Sequence, residues 1–288
     1  MPATYKPRLP HKPIKPYIPS DKREARALTI ALGFHSLSGI VLCSDSQFTI
    51  PQYMKYSGRK LFFIPGADRA WSIGLTYCGD PERADRIYEQ MKKSVCGQAT
   101  LDKDTVRQCF EDALADVRGS IINPSFETID ALCGFCAIPD KVHLFVGKSG
   151  AVTEKDSLVL LGCGDSSLSR YLENLLPTER ASIGLEIGLL TGAYIVEQAK
   201  KYVDGCGGDL QMLLMQPGGC PTILGLRDVA KLTELADLLD QTMKRACIVS
   251  MGVEMEDLDY DKGQSLEQVL MNGIRNLKTE LQRLHYSY

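Results

Sequence analysis

Along this 288-residue chain the hydrophobic periodicity changes in an order that few folds can accommodate. Residues 28–34 (LTIALGF) and 39–44 (GIVLCS) read as strands joined by the polar turn HSLS. In the first, large Ile30, Leu32 and Phe34 alternate with small Thr29, Ala31 and Gly33. One face can therefore pack, and the other admits something close to the backbone. A second strand pair, KLFFI (60–64) and AWSIGL (70–75), is joined through PGAD. The period then becomes helical. Asp80 and Pro81 supply an N-cap and first-turn signal ahead of Ala84, Ile87, Tyr88 and Met91. A second helix puts Val106, Cys109, Phe110, Ala113, Leu114 and Val117 on one stripe. Strand patterns return at 129–138, 141–147 and 157–162, followed by helices near 165–176 and 185–203 and a strand, DLQMLLM, at 209–215. A helix is expected around 228–246, and another from Ser265, where SLEQ reads as a capping box.

Strands, two helices, strands, two helices and a strand do not make the steady alternation of a parallel doubly wound sheet. The order predicts an α+β fold with two antiparallel sheets stacked face to face and helices covering both outer faces. This is a four-layer αββα sandwich.

Composition narrows the function. Hydrophobic residues make up 44% and charged residues 24%, a globular balance that fits neither disorder nor a membrane class. No apolar stretch approaches the roughly 20 residues that span a bilayer. A net charge of −3 gives no reason to expect nucleic-acid binding. The ten cysteines are scattered, mostly inside apolar strand or helix patterns, as reduced core cysteines are in a cytoplasmic protein. Cys133 and Cys136 form a CxxC, but within IDALCGFCAI and without a second pair or a nearby histidine cluster, so strand core is expected there.

The first 28 residues differ from the rest. They hold six of the 14 prolines and seven Lys/Arg against two acids, a charge of +5 that leaves −8 on the other 260 residues. Proline at nearly every third position prevents a helix and favours extended chain. The segment lacks the apolar core of a secretory signal. A removable propeptide, a docking arm, an organelle presequence and a flexible tail all remain open for it.

The available chemistry is limited by histidine. Only four are present, none in a nucleophile motif, and the chain has no GxSxG, HExxH, P-loop or paired CxxC. One nucleophilic mechanism needs no histidine: in a chain beginning at Thr, Ser or Cys, the α-amino group itself takes the side-chain proton. That amine titrates near 8. A buried lysine nearby disfavours its protonation, and an aspartate must then hold the lysine and balance its charge. Asp45 ends an apolar strand in CSDSQFT, Lys60 opens the next strand pair, and Thr29 follows the basic segment.

With those residues in view, the chain resembles the proteasome β-subunit and its bacterial relatives, including the peptidase of the bacterial ATP-dependent two-component protease. TIALGF (29–34), GIVLCS (39–44) and DSQFT (45–49) follow that family's opening hairpin, and GRKL (58–61) its lysine strand after a loop one residue shorter. The resemblance implies Thr29 as nucleophile, Asp45 and Lys60 as its charged partners, and Thr49 as the family's second threonine. It further implies that TYCGD (76–80) is the oxyanion loop, with Gly79 the backbone donor. LLGCG (160–164) and YVDGCGG (202–208) match later family loops, so that Cys163 and Asp204 would support the nucleophile's end. Cys163 and Cys206 stand where the family has serines, and Leu28 where its propeptides commonly end in glycine.

What the resemblance implies is a threonine peptidase subunit of a homo-oligomeric ring that cleaves polypeptides in the cytoplasm. It implies no metal or organic cofactor and points to an ATPase unfoldase as a partner. Three segments are expected: a basic extension or propeptide (1–28), a proteasome-like domain (29–216) and a mostly helical C-terminal extension packed on it (217–288). The rival from another class is a non-catalytic structural or gating ring subunit that keeps its N-terminal arm. A third is an amidase acting on small molecules.

Overall fold

The computed structural model describes residues 29–50, 54–119, 129–148, 150–162, 184–203 and 205–250, with three helical positions at 272, 275 and 279. The helix expected over 165–176 lies outside the described residues, and of the one expected from Ser265 only those three positions fall within them.

The first sheet is antiparallel and contains β1 (Ile30–Ser36), β2 (Gly39–Asp45), β10 (Val159–Gly162), β11 (Leu210–Met215) and β12 (Thr222–Ile223), in the order β10-β1-β2-β11-β12. The second contains β5 (Leu61–Pro65), β6 (Trp71–Cys78), β7 (Asp130–Ala137), β8 (Lys141–Lys148) and β9 (Ala151–Lys155), in chain order. A separate hairpin pairs β3 (Gln47–Ile50) with β4 (Met54–Ser57). Helices α1 (Pro81–Val95) and α2 (Lys103–Gly119) cover the second sheet. The first is covered by α3 (Leu185–Tyr202) and α4 (Leu226–Ser250). The four-layer αββα sandwich of two antiparallel sheets is the fold.

The alternation in β1 explains how the layers meet. Ile30, Leu32 and Phe34 point at α3 and α4, while Ala31 joins the core between the sheets. Gly33 lies on the same inner face as Ala31. A Cβ there would sit 3.0 Å from Leu144 Cδ1 of the opposite sheet, so the small residues are what let the second sheet approach. In β2, Val41 and Cys43 face the helices, and Ile40 and Leu42 face inward to meet Leu132, Leu144 and Met215. Strands covered on both sides read as continuous apolar runs, as β7 does.

The same period separates the two cysteines of the CxxC. Cys133 packs under α1 and α2, whereas Cys136 points into the core between the sheets. An i, i+3 pair on a strand faces opposite ways and cannot grip one metal ion. Burial pushes the Cys136 thiol up to about 12.

The helix signals are built as the sequence implies. Asp80 caps α1, its Oδ1 accepting the Glu82 N–H at 2.9 Å, with Pro81 in the first turn and Ala84, Ile87, Met91 and Val95 buried. Among the described residues, no helix is long and apolar enough to cross a membrane.

Candidate functional site

Thr29 stands one residue before β1, Asp45 is the last residue of β2, and Lys60 stands one residue before β5. The three side chains meet at one end of the stacked sheets. Thr29 Oγ1 donates to Asp45 Oδ1 at 2.7 Å. Lys60 Nζ lies 2.7 Å from the same carboxylate oxygen and also donates to Thr29 Oγ1 and to the Gln47 carbonyl. Thr29 is 3% exposed; Asp45 and Lys60 are 0% exposed.

A buried ion pair is tolerable only when its remaining hydrogen-bonding capacity is filled. Asp45 is filled from two further directions: the Ile30 N–H donates to Oδ1 at 3.2 Å and the Gly207 N–H to Oδ2 at 3.1 Å. The Lys60 backbone is fixed as well. Its N–H donates to Gln211 Oε1 at 2.9 Å, and Gln211 Nε2 donates to the Gly58 carbonyl at 2.8 Å.

The polar stretch CSDSQFT serves two purposes. Asp45 holds the lysine, while Ser46 and Gln47 clasp the loop 205–209. Ser46 Oγ accepts the Asp209 N–H at 2.7 Å, the Gln47 N–H donates to the Gly207 carbonyl at 3.2 Å, and Gln47 Nε2 donates to the Gly205 carbonyl at 3.1 Å. Gly208 in this loop has φ +68, and a Cβ on it would overlap Ser46 Oγ. Glycine is therefore required where the loop crosses the strand end.

Two of the other sequence-derived candidates, Cys163 and Asp204, lie outside the described residues. Gly79 follows directly on Cys78, whose Sγ donates to the Thr29 carbonyl at 3.8 Å, so TYCGD does border Thr29. Burial, the largest influence, drives the Cys78 thiol well above its usual value, with Lys60 opposing. No group of three or more metal-ligating side chains occurs among the described residues.

Several contributors escape a reading of the sequence. The Gly207 N–H, Gln211 and Cys78 all reach the site through tertiary contacts. The loops that carry Cys78 and Gly207 were marked by the motifs TYCGD and YVDGCGG, though not these two residues, and Gln211 stood out as a polar residue inside the apolar run DLQMLLM. The stretch between Thr49 and GRKL, expected as loop, instead folds back as the β3–β4 hairpin, with Phe48 opposite Tyr56.

No family model matches the chain. No curated protein matches it either. Solved structures do. Anbu, described as an ancestral beta-subunit, from Yersinia bercovieri superposes with a TM-score of 0.64 at 11% identity, over 81% of this chain and 100% of that one. The helical assembly of the Anbu complex from Pseudomonas aeruginosa gives 0.61 at 14%, over 81% and 100%. Anbu from Hyphomicrobium sp. strain MC1 gives 0.60 at 12%, over 80% and 100%.

Identities this low show a shared fold and nothing finer. They also correct the resemblance drawn from the motifs. The solved structures named above are Anbu proteins, described as proteasome-like but distinct, and they do not bear out the proteasome family drawn from the motifs. The motifs behind that resemblance are a few residues at one end of the sandwich, too few to separate groups that share the architecture. The chain shares its fold with these Anbu proteins.

Proposed function

We propose that this chain is a threonine-nucleophile peptidase subunit of a self-associating assembly, made competent by removal of residues 1–28. The single observation that supports it is the meeting of Thr29 Oγ1, Asp45 and Lys60 Nζ in one buried cluster at the point where the basic segment ends.

In the processing step, Thr29 Oγ adds to the Leu28 carbonyl carbon and the peptide nitrogen leaves as the Thr29 α-amine. Water then hydrolyses the resulting ester and releases residues 1–28. In turnover, the free α-amine takes the Oγ proton as Oγ adds to the scissile carbonyl carbon of a polypeptide. Lys60 lowers the proton affinity of that amine and stabilises the negative charge developing on Oγ. Asp45 orients Lys60. The Gly79 N–H receives the oxyanion, while Cys163 and Asp204 support the nucleophile's end. The leaving amine takes the proton back from the Thr29 ammonium, and a water activated by the same amine hydrolyses the acyl-enzyme.

Self-association rests on the Pseudomonas Anbu, whose structure is a helical assembly. The test is hydrolysis of fluorogenic peptides by the purified chain, Thr29→Ala and Lys60→Met. Thr29→Ala is expected to abolish turnover, and Lys60→Met to lower kcat by about 10²-fold or more. Turnover unchanged in Thr29→Ala would overturn the proposal. One observation favours the rival of a structural subunit that keeps its arm: the bulk of Leu28 stands beside the bond to be cut. An intact arm in an assembled, inactive protein would establish that reading.

A further inference from the structure

We infer that Phe48, on the β3–β4 hairpin, is a positioning residue that holds the Lys60 ammonium against Thr29 and keeps water from it. The inference deepens the threonine-peptidase reading and rests on it for its kinetic readout, though not for its chemical one.

Lys60 Nζ has three N–H bonds and three oxygen acceptors: Thr29 Oγ1, Asp45 Oδ1 and the Gln47 carbonyl. Its hydrogen-bonding capacity is filled, and a ring lies against it besides these oxygens. The Phe48 ring centroid lies 4.7 Å from Nζ, within range for attraction between a cation and the electron-rich ring face. The ring is itself fixed. It stacks on Tyr56 across the hairpin, with centroids 5.1 Å apart and planes 22° off parallel. It also leans on Tyr77 at 6.4 Å, and Tyr77 donates its hydroxyl to the Arg59 carbonyl at 3.3 Å. Gly58 makes room for it, since a Cβ there would come within 2.7 Å of Phe48 Cε2. Phe48 is buried while Tyr56 is 39% exposed, so the hairpin carries Phe48 as an inner layer and Tyr56 as an outer one.

An aliphatic side chain of similar size would fill the space, but it would offer no π face to an ammonium. An aromatic one keeps both. That difference separates positioning from plain packing. The Lys60 ammonium has to point at Thr29 Oγ1 for its charge to act on the nucleophile, and loss of the ring frees it to turn toward entering water.

The experiment compares Phe48→Met, Phe48→Leu and Phe48→Trp with the wild type. Two readouts are taken: peptide hydrolysis, and labelling of lysines by an N-hydroxysuccinimide ester mapped by mass spectrometry. Phe48→Met and Phe48→Leu are expected to lower kcat about tenfold with KM unchanged, in chains that stay folded at the assay temperature with a lowered thermal midpoint. They should also expose Lys60 to acylation. Phe48→Trp is expected to retain both kcat and protection. Full kcat and full protection in Phe48→Met would overturn the inference, as would equal losses in the Met and Trp variants. If the wild type itself hydrolyses nothing, the peptidase reading fails. Lys60 labelling then still decides the role of Phe48, because protection in the wild type and its loss in the Met variant do not depend on turnover.

Discussion

Removing one partner of the buried Asp45–Lys60 pair should be costly, and the two removals should not cost the same. All variants are best compared in a Thr29→Ala background, so that every chain carries the same N-terminus and the Thr29 hydroxyl drops out. In that background Asp45 is served by Lys60 Nζ, the Ile30 N–H and the Gly207 N–H, and Lys60 by Asp45 and the Gln47 carbonyl. Lys60→Met leaves the carboxylate with two of its three donors. Asp45→Ala leaves the ammonium with one neutral acceptor and strands two backbone donors. Breaking a buried pair from one side costs about 3–5 kcal/mol. Each stranded donor adds about 1 kcal/mol or more unless water reaches it. The expectation is therefore about 3 kcal/mol for Lys60→Met and about 5 kcal/mol for Asp45→Ala, on the same scales. The double variant buries no charge and should be less destabilised than Asp45→Ala alone, making the cycle non-additive by about 3 kcal/mol or more. Urea unfolding followed by the fluorescence of Trp71, the one tryptophan, reads all four chains; its ring is buried and its Nε1–H donates to the Gln98 carbonyl. Additive losses, or a Lys60→Met chain less stable than Asp45→Ala, would refute this account of the site's electrostatics.

Three further outcomes test other links. Gly208→Ala should destabilise by about 1–2 kcal/mol from the left-handed backbone alone, with a further loss from the overlap with Ser46 Oγ, read as a lower urea midpoint. An unchanged midpoint would mean that the loop 205–209 does not sit on the strand end. Asp80→Ala should cost about 1 kcal/mol through the lost N-cap of α1; no loss in urea unfolding would count against that cap. At pH 8, iodoacetamide should modify the exposed Cys96 and Cys220 in the folded protein, while Cys43, Cys78, Cys133 and Cys136 react only after unfolding. Burial raises each of these four thiols, Cys136 to about 12, so at pH 8 only about one in ten thousand Cys136 side chains is the reactive thiolate. Rapid alkylation of Cys136 in folded protein would contradict the packing of β7.

Much of the architecture was legible because the chain's periods are clean. The large–small alternation in LTIALGF marked one face of β1 as packing and the other as open to close approach, and the structure fills the first with helix contacts and the second with the opposite sheet. Asp80-Pro81 marked the start of α1 because capping is local chemistry. The convergence of Thr29, Asp45 and Lys60 was inferable from their places at strand ends, since strand ends of one sheet pair share an edge of the sandwich. The β3–β4 hairpin was not, because Gln47–Ile50 and Met54–Ser57 are too short to display a period. The motifs TYCGD and YVDGCGG marked the loops of Cys78 and Gly207, but not the contacts these residues make: a backbone amide has no sequence signature, and Cys78 looks like any core cysteine. The family resemblance overreached for a related reason. Residues that meet at one end of a sandwich mark the architecture, and they do not separate the groups built on it.

Everything proposed for Thr29 depends on a free amine being made there, and intact mass of the purified protein reads this out. Wild type should give a species starting at Thr29, lighter than the expressed chain by residues 1–28, and Thr29→Ala an unshortened one. A folded wild-type protein that keeps those 28 residues and hydrolyses no peptide would contradict it.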